Sequence, residues 1–472
     1  MNYLSDHPKT SQFVVLIIVF FFLCYFITPS EGNVLWRLPS LISGLPLIIT
    51  EGVSYLMYEF MPIEIFDPEI EEYEERPIVK EITRAFSRAV LFCIQFIREI
   101  LVGGVKTIVA FTSWNFVREN QWAYWPALPW TVVAGGAVLL GYSLKGKGLA
   151  LLAGLATAYI AIFGQWEPAM ETLSFVLVAA PVSFLLGLFL GVSAYKSNKV
   201  EAILNPLLNV AQTMPHFSYL IPVMVFFGVG DHAGAIATII FATPPMIRLT
   251  LLGLKKVPLE VAEAGMMNGC SNYQLLFKVL IPTARRDILI GVNQVIMQCL
   301  AMAVIASFIG AKGLGFNLLL ALNQLRVGQA LELGVCIVLI AVVLDKLSLA
   351  WANKQIDYFA DLTFLKRNKY LFIFAAILVS GSCVAYMGIF FFKDGFNYFY
   401  LIPHNKGITT EWIWQAGVDW IWDTFFFKLK VINEFLIIYV LMPMKHAYLS
   451  MPVFATFVLV MGVGYLIGGV KS

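Results

Sequence analysis

Apolar residues gather into runs at 11–28, 126–144, 148–165, 170–195, 203–228, 232–252, 286–310, 331–352, 370–392 and 451–470. A helix crosses the hydrocarbon core of a bilayer with roughly 17–25 predominantly apolar residues, and these runs have that length. They predict an all-α polytopic membrane protein with about ten transmembrane helices. The first run is expected to be a retained span, because its basic lead is weak and no small-residue cleavage pattern follows it. Segments 39–58, 85–111 and 431–443 are shorter or carry internal charge. Within 85–111, Arg88, Arg98, Glu99 and Lys106 predict an amphipathic helix along the membrane surface. A charge at mid-bilayer costs roughly 2.5–3.5 kcal/mol on insertion scales.

Composition agrees with the pattern: 59% of residues are hydrophobic and 13% charged, against about 45–50% and 25% in soluble domains. The net charge of +2 suggests no nucleic-acid partner. Lysine and arginine occupy alternate loops: Lys145 and Lys147, Lys196 and Lys199, Arg248 through Arg286, and Lys354 through Lys369. The loops near 166–169 and 229–232 contain neither residue, and 29–125 holds the acidic run EEYEE. By the positive-inside rule, both termini are expected in the cytoplasm. The six cysteines are dispersed without CxxC spacing, so neither a metal site nor a disulfide framework is indicated.

One stretch interrupts this pattern. Residues 260–282 read EVAEAGMMNGCSNYQLLFKVLIP, polar and glycine-containing between two spans. Leu259 to Met267 predicts one short helix, with Glu260 and Glu263 favourably early in it. Gly269 supplies a turn, Asn272 to Leu280 predicts a second helix, and Pro282 is expected to end it. The residues alone leave two readings open: a docking element for another protein, or an amphipathic loop on the membrane surface.

The segment resembles the EAA loop of ATP-binding cassette importer permeases, in which E-A-A, three residues, G and nine residues precede I-x-L-P. Here Glu263, Ala264 and Gly265 are followed by Gly269 and, nine residues on, by Val279, Leu280, Ile281 and Pro282. Gly265, Val279 and Ile281 depart from the pattern conservatively. A glycine motif of the same family, GxxGLG, is matched by Gly310, Gly313, Leu314 and Gly315. The likeness covers roughly 165–355 and is similar above all to betaine/proline permeases of the MetI-like family. It implies a MetI-like core whose loop residues Glu260, Glu263, Ala264, Gly265, Gly269 and Pro282 couple to a cytoplasmic ATPase. It further implies a periplasmic substrate-binding protein, a second permease copy (homodimer or split tandem half), membrane lipid around the spans, and a bacterial inner-membrane location. The implied substrate is a betaine-like osmolyte, with trimethylamine N-oxide or another methylated amine as the alternative.

Other chemistry is sparse. No GxxxxGK[ST] loop occurs, so no cofactor is expected on this chain and ATP belongs to the partner. The chain is therefore expected not to be an enzyme. Gln212, Thr213, Pro215 and His216 interrupt one apolar run; they either line a translocation path or mark a kink satisfied by a neighbouring helix. Asn293, Gln294 and Gln298 form a second polar set, read either as interhelix hydrogen bonding or as pathway lining. An ion-coupled secondary transporter is the competing class, but it usually keeps ionisable groups at mid-membrane. The core spans show almost none, and Asp345 lies close to a span end.

Four regions are expected: 1–125, a first span with a periplasmic or interfacial lead-in; 126–165, two accessory spans; 166–355, the permease core; and 356–472, extra spans. In the last region, an aromatic patch and a proline lead to a small-residue span closing with Gly464-Tyr465, as 92–144 closes with Gly141-Tyr142. That parallel is read either as an incomplete second permease repeat or as added anchoring helices.

Overall fold

The computed structural model describes residues 62–67, 72–103, 128–354, 369–391, 409–450 and 456–462, with single positions at 15, 19, 51, 52 and 55. Of the expected span 11–28 only Val15 and Val19 are described, and of 451–470 only 456–462; Gly464-Tyr465 lies outside the described residues. Two compact units are present, one formed by Lys80–Val418 and the other by 1–79 with 419–472.

The described chain is nearly all helical, and the expectation of a purely α fold needs one correction. Strands β1 (Pro62–Asp67) and β2 (Glu72–Pro77) form an antiparallel hairpin, with Pro62 opposite Pro77 and Asp67 opposite Glu72. Ile63 and Ile65 alternate with Glu64 in β1, a period of two that a span-length window averages away. Helix α1 (Ile78–Arg98) follows and runs into a π-helical turn, Glu99–Gly103. Its buried residues Ser87, Val90 and Ile94 recur at helical spacing, as the amphipathic pattern requires.

Helices α2 (Trp130–Lys145) and α3 (Lys147–Ile162) meet at Gly146. The core is built on α4 (Trp166–Lys196), α7 (Asp231–Lys255), α9 (Arg285–Ile305) and α11 (Val327–Asn353). Small residues let α4 and α7 approach closely: a Cβ on Gly187 would collide with the Met246 side chain, and one on Gly191 would lie 2.6 Å from Thr250 Cβ. Without a hydrophobic force between helices in lipid, such close contact supplies the association. These four helices are long and apolar enough to cross a membrane, α9 together with its 3-10 extension Ala306–Ile309. Helix α10 (Leu314–Asn323) is a short apolar helix that the span pattern did not predict. Beyond the core lie α12 (Lys369–Phe391), α13 (Glu411–Phe435), a π-helical turn Leu436–Leu441, and α14 (Met442–Ser450).

The expected straight span at 203–228 is instead broken. Helix α5 (Asn198–Thr213) and the pair formed by a 3-10 turn, His216–Tyr219, and α6 (Leu220–Phe227) meet at 116°. The cause is Pro215, which forces Met214 out of the helical region to ψ 135° and stands itself at ψ 142°. The Ala211 carbonyl, which would have accepted an N–H from position 215, receives the Tyr219 hydroxyl instead.

Candidate functional site

The interruption at 260–282 folds into two limbs joined at a tight turn. Helix α8 (Leu259–Met267) forms the first limb, with Glu260, Glu263 and Ala264 on its exposed side. Gly269 takes φ +77°. Its N–H donates to the Met266 carbonyl at 2.9 Å, and the Cys270 N–H donates to the Gly265 carbonyl at 3.2 Å. These paired bonds close the end of α8 in a Schellman arrangement, which favours glycine at the positive-φ position.

The second limb opens with a reciprocal cap. The Gln274 N–H donates to Ser271 Oγ at 3.3 Å while the Ser271 N–H donates to Gln274 Oε1 at 3.0 Å. Asn272–Gln274 then passes into a π-helix, Leu275–Leu280, and a last turn, Ile281–Thr283. Pro282 therefore lies inside the helical run and does not end it; the chain turns at Ala284, ψ 0°. The proline brings no N–H, and the π-helical turn sits where the regular hydrogen-bond register has already been shifted.

The limbs face each other across Gly265, which is buried, while Val261 and Ala262 are half-buried and the other residues of α8 are exposed. A Cβ there would stand 2.8 Å from Leu275 Cδ1 and 3.2 Å from Val279 Cγ2. The third position of the EAA pattern thus needs a small residue because two helices touch there. Leu276, Leu280 and Ala284 anchor the second limb in the main core beside Leu254. The outward side is apolar: Met267 is 88% exposed, Leu259 is exposed, and Tyr273 and Phe277 are exposed with their rings in mutual contact at 4.5 Å. An exposed apolar patch flanked by Glu260 and Glu263 is the composition of a docking surface.

The glycine motif lies at the opposite ends of the same helices. Gly310 follows the 3-10 extension of α9 at φ +83°, and Gly313 takes φ +119° against α4. A Cβ on Gly313 would sit 2.5 Å from Thr172 Oγ1, the atom that accepts the Leu314 N–H at 2.9 Å. Gly315 is buried, with room for no side chain against Val304 Cα at 2.9 Å. Asp231 holds this end together by accepting the Lys312 N–H at 2.7 Å and pairing with Arg98 at 3.6 Å.

The two polar sets separate in space. Asn293 is buried, donating from Nδ2 to Asp345 Oδ1 at 3.2 Å and accepting from the Ser348 hydroxyl, so its polar atoms bind α9 to α11. Gln294 is exposed and Gln298 half-buried on the same helix. Gln212 and Pro215 are exposed, and Thr213 returns its hydroxyl to its own helix at Asn209 and Val210. The His216 ring rests 4.4 Å from that of Phe241 on α7. Among the described residues, no hydrogen bond joins Gln212, Thr213 or His216 to Gln294 or Gln298.

One polar centre was missed. Glu332 on α11 is 1% exposed, a buried carboxylate where the spans were expected to hold almost no ionisable group. Its Oε2 accepts from the Thr410 N–H at 2.7 Å and the Thr410 hydroxyl at 2.9 Å, and its Oε1 accepts from Gln165 Nε2 at 3.2 Å. Trp414 Nε1 donates to Thr410 Oγ1 at 3.1 Å, and the Tyr159 hydroxyl lies 3.3 Å from the same oxygen. Close by, the Gly328 N–H donates to Gln415 Oε1 at 3.0 Å. The carboxylate faces the N-terminus of α13, where peptide dipoles favour negative charge.

A two-limbed helical loop at one end of a bundle of membrane-length helices, with a glycine turn at the other end, is the arrangement that the resemblance to importer permeases implies. The chain belongs to the family described as binding-protein-dependent transport system inner membrane component, whose model matches residues 183–392, from within α4 to just beyond α12. It is a permease subunit of an ATP-binding cassette importer. It is 55% identical to the trimethylamine N-oxide transport system permease protein TmoV of Pelagibacter ubique, over all of this chain and 70% of that protein. TmoV of Ruegeria pomeroyi is 45% identical over 61% of the chain and 44% of its own length. The glycine betaine/proline betaine transport system permease protein ProW of Escherichia coli is 42% identical over 45% of the chain and 60% of its own length.

Proposed function

We propose that this permease imports a small methylated amine solute, trimethylamine N-oxide ahead of glycine betaine. The observation that carries the reading is the 55% identity to a trimethylamine N-oxide permease along the whole chain, where the glycine betaine permease ProW is similar over 45% of it. The order reverses the expectation drawn from the motifs, which the two substrate classes share.

In this reading ATP is bound and hydrolysed on a cytoplasmic partner, and the chain itself needs no cofactor. The ATPase receives the outward face of the 260–282 loop, with Glu260 and Glu263 beside Met267 and Tyr273. Leu276 and Leu280, anchored in the core, carry the movement to α7 and α9, which flank the loop. A periplasmic binding protein delivers solute at the glycine-motif end, and a second permease copy completes the path. The exposed Gln212, Thr213, His216 and Gln294 line that path, with Pro215 setting the break that presents them and Gln298 at its margin; Asn293 belongs to the α9–α11 contact. The complex sits in a bacterial inner membrane, surrounded by lipid, with ten spans and both termini in the cytoplasm. Regions 1–125, 126–165, 166–355 and 356–472 act as lead-in, accessory spans, core and C-terminal extension.

The test is uptake of labelled trimethylamine N-oxide and glycine betaine into vesicles holding this chain, its ATPase and its binding protein. ATP-dependent accumulation of trimethylamine N-oxide in preference to glycine betaine is expected. Equal or reversed preference would refute the substrate order, and uptake without ATP would refute the partition of labour between subunits.

A further inference from the structure

At the same helix ends as the 260–282 loop, a cavity of about 300 Å³ opens between α2 and α11. That volume is at the lower end of the roughly 300–1,000 Å³ typical of small-molecule sites. Leu144 and Leu349 give it an apolar wall, while Lys145, Lys346, Lys354 and Asn353 give it a polar rim. The placement follows from the contacts of α11: Asp345 and Ser348 bond Asn293, two turns from the loop end of α9, while Glu332 near its N-terminus bonds Gln165 at the glycine-motif end of α4, so the C-terminus of α11 points to the loop side.

Among the described residues, the charges at this rim are unbalanced. Lys346 lies 3.6 Å from Asp345, a carboxylate already engaged by Asn293. Lys354 donates to the Ser143 carbonyl at 3.1 Å, an uncharged acceptor at the end of α2. Lys145 has neither an ion pair nor a side-chain hydrogen bond among the described residues. Three lysines thus line one cavity, and Asp345, the carboxylate paired with Lys346, is not part of that lining among the described residues. Lysines near helix ends commonly snorkel toward the membrane surface, and a single such lysine needs no further account. Three lining one apolar-walled cleft raise the positive potential there and favour the entry of an anion.

We propose that this cleft binds the phosphate headgroup of an anionic membrane lipid, with the apolar wall receiving the start of its acyl chains. Basic pockets between membrane helices are suited to that ligand, because the chains and the headgroup are bound by different walls of one site. Lys145 supplies the uncommitted charge, Lys354 the second contact, and Asn353 a hydrogen-bond donor at the mouth. Lys346 adds positive potential while remaining tied to Asp345.

The test is native mass spectrometry of the full chain with dioleoyl phosphatidylglycerol, dioleoyl phosphatidylethanolamine and soluble glycerol 3-phosphate as probes. Four proteins are compared: the wild type, Lys145→Gln/Lys354→Gln, Asn353→Trp, and Lys196→Gln/Lys199→Gln, which removes two lysines of another loop at the same helix ends. Asn353→Trp fills the mouth without changing charge. Phosphatidylglycerol should stay bound to the wild type and the Lys196/Lys199 variant through activation that strips phosphatidylethanolamine. Its retention should fall about tenfold, equivalent to roughly 1.4 kcal/mol, in Lys145→Gln/Lys354→Gln. It should fall again in Asn353→Trp. Equal retention in all four proteins, or equal loss in the Lys196/Lys199 variant, would overturn the site. Binding of glycerol 3-phosphate without retention of phosphatidylglycerol would overturn the lipid as its ligand.

Discussion

The 260–282 loop and the Glu332 centre are both polar interruptions of an apolar bundle, and they are built in opposite ways. The loop keeps its acids outward and satisfies its backbone locally, through the Gly269 turn and the Ser271–Gln274 cap. Glu332 is 1% exposed, and its partners come from 78 and 167 residues away. A polar group left in water remains free to meet another molecule. A polar group withdrawn from water must be matched inside the chain, and there it fastens elements together. Within the Lys80–Val418 unit, Glu332 joins the segment after α3, α11 and the beginning of α13. The loop is thus suited to transmitting force and the buried carboxylate to fixing position.

That contrast can be broken most severely at Glu332. Replacing it with leucine removes the acceptor of three hydrogen bonds and strands the Thr410 N–H, at an expected cost of about 3 kcal/mol. Thermal unfolding of the purified chain should show a lowered midpoint, with Glu332→Gln losing much less because an amide oxygen still accepts. An unchanged midpoint in the leucine variant would mean that the centre fastens nothing.

Gly265→Leu attacks the loop from its inner side. The new side chain meets Leu275 and Val279, and overpacking of this kind costs about 1–3 kcal/mol. Because the damage is confined to the limb contact, ATP-driven uptake should be lost while the unfolding midpoint of the bundle is kept. Loss of both would place Gly265 with Glu332 as a residue of general stability.

Smaller effects follow at the turn. Gly269→Ala puts a Cβ at φ +77°, where the left-handed region costs about 1–2 kcal/mol, although no atom obstructs it. Uptake should fall partially and in proportion to the fraction of loop still folded. Ser271→Ala removes one half of the cap, worth about 1 kcal/mol, and should reduce uptake least. Measured in parallel, the three loop variants should rank in this order; a reversed ranking would show that side-chain chemistry outweighs loop geometry.

The same contrast explains what could be read before the fold was known. Helix α8 was legible over Leu259–Met267, as was the turn at Gly269, because helix ends and positive-φ turns are written in neighbouring residues. The four long core helices were visible as apolar runs. The course of 203–228 was not, since Pro215 signals a disturbance without telling whether a helix bends or breaks. Pro282 misled for a related reason: a π-helical segment absorbs it, and hydrophobic spacing carries no trace of that register. Glu332 was illegible because Gln165 and Thr410 are ordinary polar residues until folding brings them to it. Gly313 could be matched to a motif, but its need for close approach to Thr172 becomes visible only in three dimensions.

The most direct test of the loop's assigned role is co-purification of the ATPase with chains carrying Glu263→Arg, alongside solute-stimulated ATP hydrolysis in the reconstituted complex. Glu263 is exposed on α8, so reversing its charge should leave insertion and unfolding unaltered. With Glu263→Arg the ATPase should no longer be retained and hydrolysis should lose its response to solute, while Glu332→Gln retains both. Full ATPase retention and normal stimulation with Glu263→Arg would contradict the assignment of this face to coupling.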